Sequence, residues 1–182
     1  MRLHFDRVDG AGSVESRYYG PYNTLLAYLS GDPAKYEVAP QASTVRVGRD
    51  MVDFVLWYVV KDSEDRVVMI VEVKDRSSAS SADGRRSADE QMRHRFDVLM
   101  GESTTPRVYG ISALGTRICI YELDGTTGVV SPPLIGRPSM DRALPRDFLA
   151  GRWDTDVLSR ESFDALKRVM FDIDAMCLEV QR

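Results

Sequence analysis

Two apolar runs, residues 52–60 and 67–74, constrain this chain more than anything else in it. Both are rich in β-branched and aromatic side chains, which suit a pleated, packed surface and read as strands. Neither alternates with polar residues, so both strands are expected in the middle of a sheet with both faces covered. Between them stand only Lys61-Asp62-Ser63-Glu64-Asp65-Arg66, a polar link short enough to imply an antiparallel hairpin. Three charges interrupt this frame: Asp53 near the start of the first run, and Glu72 and Lys74 at the end of the second. Side chains two apart in a strand share a face, so Glu72 and Lys74 point the same way and Val73 the other. A buried unpaired charge is costly, so Glu72 and Lys74 must pair, reach solvent or meet an ion.

The rest of the chain supplies layers for that sheet. Residues 13–30 read as a helix capped by Ser13, broken at Gly20-Pro21, and restarted with Pro21 in its first position. Leu25, Leu26 and Leu29 form its apolar face, and Asp32-Pro33 ends it. Val45-Arg46-Val47 alternates and is expected at a sheet edge, with Gly48 and Asp50 in the following turn. Residues 76–86, rich in Ser, Ala and Gly, read as a mobile loop. A helix is expected over 87–100, with Met92, Phe96, Leu99 and Met100 on one face and Gly101 past its end. Residues 107–113 and 116–123 read as strands about Gly115, and Asp124-Gly125 as a turn. Residues 129–146 contain four prolines and read as irregular surface, a candidate partner-binding arm. The last helix, 160–180, carries Phe163, Leu166, Met170, Ile173, Cys177 and Val180 at steps of three and four. That stripe either covers the sheet or forms a homodimer contact.

This order describes one α/β domain over residues 1–182, a sandwich about a mixed sheet. Its core spans about residues 13–123, and residues 124–182 hold the Pro-rich segment and the final helix. The composition, 43% hydrophobic and 29% charged over 182 residues, fits a full single core. A membrane span is excluded because no run of about 18 apolar residues occurs. The first residues lack the apolar stretch of a signal peptide, and Cys119 and Cys177 read as reduced core thiols, so a cytoplasmic or nuclear protein is expected, not a secreted one. A net charge of −4 argues against tight, unspecific binding of nucleic acid over the whole surface but permits a local basic groove.

Asp53, a hairpin, Glu72-Val73-Lys74, and then a helix carrying Gln91 resemble the ordered motifs of the PD-(D/E)XK nuclease superfamily. The resemblance implies a restriction-endonuclease-like fold, an αβββαβ core with a central mixed sheet flanked by helices, here followed by a C-terminal helix. It implies that Asp53 and Glu72 hold Mg²⁺ or Mn²⁺, with the Val73 carbonyl as a further ligand. Lys74 would orient or activate water, and Gln91 would support the lysine or the phosphate. Glu15, on the first helix, would complete the metal shell. The stretch from Glu15 through Tyr18-Tyr19-Gly20-Pro21 to Asn23 is also similar to fungal Crinkler-like orphan nuclease domains. The chain departs from the pattern at Val52, where many members have proline, and at Arg95, where one branch has an aromatic. Asp50 is a competing acid, but Asp53 begins the strand proper.

The chemistry behind the resemblance is general. Phosphodiester hydrolysis needs charge neutralised on the phosphate and a water made nucleophilic, and hard divalent ions on carboxylates supply both. Arg76, Arg85, Arg86, Arg93 and Arg95 cluster after the motif and are candidates for phosphate contact. Asp83, Asp89 and Glu90, interleaved among them, describe instead a solvated face. His94 and His4 carry no catalytic pattern. The expected activity is metal-dependent hydrolysis of nucleic acid, DNA before RNA. The alternatives are a catalytically silent interaction module of the same fold, and a ribonuclease.

Overall fold

The computed structural model describes residues 2–9, 14–47, 51–100, 105–139 and 141–180; for residues 3, 9, 41–47, 51–58 and 180 only the backbone is described. The sheet is built from β1 (Tyr36–Val47), β2 (Met51–Asp62), β3 (Val67–Lys74), β4 (Arg107–Leu114), β5 (Arg117–Asp124) and β6 (Val130–Ser131), in that spatial order. A further short strand, β7 (Thr155–Asp156), pairs with β5. The β3–β4 pair is parallel and every other pair is antiparallel, so the sheet is mixed.

The β2–β3 hairpin turns on Asp62. Its Oδ1 accepts from the Glu64 and Arg66 amides at 3.0 Å each, and Arg66 Nε donates to its Oδ2 at 2.7 Å. Asp65 then takes a left-handed φ of 62°, which a short polar side chain tolerates better than most. A register shift at Val60/Lys61 follows from this tight closure. Where β3 and β4 run parallel, the crossover is made by a helix pair, α3 (Ser77–Ser80) and α4 (Ala82–Leu99).

Helices cover both faces. On one face α1 (Arg2–Asp9), α2 (Ser16–Ser30) and α5 (Arg160–Val180) close a core with Met69, Val71, Val73, Ile111 and Ala113. On the other, α4 packs Met92, Phe96 and Leu99 against Ile70, Val108, Leu114 and Tyr121. A Cβ on Gly110 would meet Met92 Sδ at 2.6 Å and Phe96 Cζ at 2.8 Å, so glycine there lets these α4 side chains pack close against β4. The chain returns to this second layer through a 3₁₀ turn, Ala150–Trp153, whose Trp153 Nε1 donates to the Ser112 carbonyl at 3.1 Å.

Several expectations need correction. The expected loop at 76–86 is helical. Ser81 Oγ caps α4 by accepting from the Gly84 amide at 2.9 Å, and Asp83 adds a favourable charge to its first turn. The α2 helix runs through Pro21 without the expected break. The strand expected at Val45–Val47 begins nine residues earlier, at Tyr36, because it pairs with the whole length of β2. The expected cap Ser13 and the turn residues Gly48 and Asp50 lie outside the described residues. The α5 stripe lies in the sheet core, where Leu166, Met170, Ile173 and Cys177 are buried. A homodimer contact would therefore need the opposite face of α5, where Phe171 and Leu178 are exposed. Among the described residues no helix is long and apolar enough to cross a membrane.

Candidate functional site

The alternation of β3 sends Val73 into the α2/α5 core and leaves Ile70, Glu72 and Lys74 for the α4 side. Glu72 is only 2% exposed. Arg95, one turn beyond Gln91 on α4, donates from Nε to Glu72 Oε2 at 3.3 Å, a long bond for a charged pair. Glu72 Oε1 is buried with no hydrogen-bond partner among the described residues. Burial pushes the Glu72 carboxyl above its ordinary range; Arg95 and Lys74 pull it back, and the Glu15 carboxylate pushes it further up. Native structures rarely leave such an oxygen unsatisfied, and sites that await an ion or substrate are among the places where they do.

Glu15 reaches this region from another layer. It stands at the start of α2, where its side chain accepts from Tyr19 Oη at 2.5 Å rather than from a helix amide. The α2 helix is fixed against the ends of β3 and β4 by Tyr22, whose hydroxyl donates to the Gly115 carbonyl at 2.8 Å, while the Gly115 amide donates to the Lys74 carbonyl at 2.9 Å. Gln91, on α4, has a buried Oε1 that also lacks a partner among the described residues. Two unsatisfied acceptors, Glu72 Oε1 and Gln91 Oε1, thus belong to elements joined by the Arg95 bridge. Asp75, one residue past Lys74, was not singled out from the sequence. Its Oδ1 accepts from the Ser77 amide at 2.7 Å and so starts α3.

The Asp53 side chain lies outside the described residues, but its backbone position in β2 is fixed by pairing with Val45. Glu72 lies opposite Trp57. Asp53 is four residues further along β2, the same parity as Trp57 and about 13 Å away along the strand. Among the described residues no three His, Cys, Asp or Glu side chains are grouped to hold a metal ion. Glu15 is close enough to Glu72 to act on its charge electrostatically.

The five arginines divide by role. Arg85 is buried, and its guanidinium donates to the carbonyls of Ala79, Arg146 and Phe148, tying the chain's return path to α4. Arg93 is committed to Asp89 at 2.9 Å and to the Pro132 carbonyl at 2.6 Å. Arg86 pairs on the surface with Glu90 at 2.8 Å. Arg95 sits on Glu72, and Arg76 is exposed at the start of α3. Only Arg76 and Arg95 therefore lie at the end of β3. A described cavity of about 600 Å³ is lined by none of the five, and one of about 630 Å³ is lined by Arg93 alone among them.

Comparison with protein-family models, with curated proteins and with solved structures found no match to this chain. What the region can do must be read from its own chemistry. A buried carboxylate with a bare oxygen, a second carboxylate within electrostatic reach, a lysine two residues on and a guanidinium make a site suited to a hard cation beside an anion.

Proposed function

We propose that the chain is a metal-dependent phosphodiesterase acting on nucleic acid, with a PD-(D/E)XK-like active site at the end of β3. The observation that carries this reading is the bare, buried Oε1 of Glu72, on the same face as Lys74 and under the field of Glu15. The order helix, three antiparallel strands, helix and parallel β4 agrees with the restriction-endonuclease-like core that the motif resemblance implies. The donor set suits Mg²⁺ or Mn²⁺: both Glu72 and Glu15 offer hard oxygen, and the Val73 carbonyl is an adjacent candidate. Asp53 is the further carboxylate that the motif resemblance implies; its side chain lies outside the described residues. When bound, such an ion supplies charge neutralisation and an acidified water.

The chain's own groups do the rest. Lys74 holds positive charge where the phosphate's negative charge develops and orients the attacking water. Gln91, one turn before Arg95 on α4, would supply its side-chain amide to the lysine or the phosphate. Arg95 gives Glu72 a counter-charge, and an ion held by Glu72 would supply that charge in its place, so that the guanidinium could turn to a phosphate oxygen. A second reading, an interaction module without catalysis, is favoured by the same bridge, because Arg95 already provides Glu72 with a counter-charge.

The test is a panel of single- and double-stranded DNA and RNA incubated with Mg²⁺, Mn²⁺ or EDTA, with Glu72→Ala run alongside. Cleavage that needs metal and vanishes in the variant supports the nuclease. Absence of cleavage on every substrate contradicts it and leaves the module.

A further inference from the structure

Away from Glu72, a cleft of about 600 Å³ opens between the end of α2 and the starts of α1 and α5. Its floor is aromatic. The Tyr28 and Phe163 rings lie 6.1 Å apart and are tilted by 36°. Tyr28 is 60% exposed, a large ring face turned to water rather than to the core. Its rim is cationic: Arg2 and Arg160 line the cleft, and Lys167 Nζ stands 4.7 Å from the Phe163 ring centroid. The described lining residues include no carboxylate. Arg160 leans on Asp164 at 3.8 Å with its side chain 94% exposed, a pair weak enough to exchange for a better anion. The helix end is not the attraction, since the Ser162 amide of α5 already donates to Ser159 Oγ at 3.1 Å.

Apolar rings ringed by guanidinium groups complement a ligand that has both flat π-faces and negative charge. We propose that this cleft is a stacking subsite for single-stranded nucleic acid, with a base on Tyr28 beside Phe163 and the flanking phosphates on Arg2 and Arg160. Every base has a π-face, so the subsite is tolerant of sequence. Guanidinium groups suit phosphate oxygens in geometry as well as charge. Along α2, Tyr28 follows Glu15, at the start of the helix, by thirteen residues, about 20 Å along the axis. The subsite deepens the nuclease reading and rests on it for its purpose, but binding does not require cleavage.

Binding is measured with the full chain in EDTA by fluorescence anisotropy of labelled oligothymidylate and oligouridylate. Tyr28→Ala is expected to weaken binding roughly fivefold or more, and Tyr28→Phe, which keeps the ring, to restore it. Arg2→Ala with Arg160→Ala, which removes two phosphate contacts, is expected to lower the slope of log affinity against log salt by about 1.4. Tyr28 is exposed, so its variants keep the fold, and a thermal melt checks this. Wild-type affinity in Tyr28→Ala, or no binding by the wild type, overturns the subsite. Hydrolysis of the small diester bis(p-nitrophenyl) phosphate with Mn²⁺ reads the nuclease separately. No hydrolysis by the wild type contradicts the nuclease and leaves the binding result standing. Loss of it in Tyr28→Ala contradicts a subsite remote from the chemistry.

Discussion

Asp89 and Glu72 are equally hidden, each 2% exposed, and both belong to the α4 side of the sheet. Their surroundings are opposite. Asp89 accepts from Tyr121 Oη at 2.8 Å, Arg93 Nε at 2.9 Å and Arg152 at 2.8 Å. Arg93 and Arg152 donate in turn to the carbonyls of Pro132 and Pro133, so the network clasps the Pro-rich arm to α4. Glu72 Oε2 takes a long bond from Arg95, and among the described residues Oε1 has no hydrogen-bond partner. A buried charge whose lone pairs are all occupied is a structural strut. One left half-satisfied carries a cost that folding alone does not explain, and a ligand does.

The difference can be broken from either side. The largest expected effect is on chemistry: Glu72→Ala should reduce metal-dependent cleavage to about one thousandth of wild type or less, measured by initial rates on the best substrate. Lys74→Ala should cost about a hundredfold or more while the metal is still bound. Asp89→Ala should act on stability instead. It leaves two guanidinium groups without their shared counter-charge, and urea unfolding should register a loss of about 3–5 kcal/mol. Should Asp89→Ala prove as stable as the wild type, the clasp is not the strut described.

A smaller effect runs the other way for Glu72→Gln. Burial holds the Glu72 carboxyl above its ordinary range, so its contribution to stability is full below the unfolded carboxylate range and is lost as pH rises through the folded value. The neutral amide escapes that loss. Glu72→Gln should therefore gain stability relative to the wild type as pH is raised from about 4 to about 7. A variant that is less stable at pH 7 than at pH 4, relative to wild type, would show that Arg95 overcompensates burial.

The sequence made some of this legible and hid the rest for physical reasons. Strands β3 to β5 and helix α5 follow from apolar runs and turn residues with little tertiary help. The α1 helix is held by Phe5 against Tyr22, rings edge to face at 5.2 Å, a contact that no local pattern announces. The start of α4 looks like a loop because Ser, Ala and Gly dominate it, and Arg85 becomes helical and buried only through carbonyls some sixty residues away. Asp89 read as a surface acid among arginines. A signal was present: Arg85, Asp89, Met92, Phe96 and Leu99 share one helical stripe, and a charge on that stripe is a buried charge. For the site, Glu72 and Lys74 were legible from strand alternation, and Glu15 only through the resemblance. Neither could reveal that Arg95 would sit on Glu72, since that depends on how α4 is docked.

The central claim is that the bare oxygen of Glu72 is a metal ligand, and a thermal melt reads it most directly. With a few millimolar Mn²⁺ the wild type should melt about 2–4 °C higher than in EDTA, by mass action on the folded state, and Glu72→Gln should show no such shift. Equal shifts in both proteins, or none in the wild type, would contradict it.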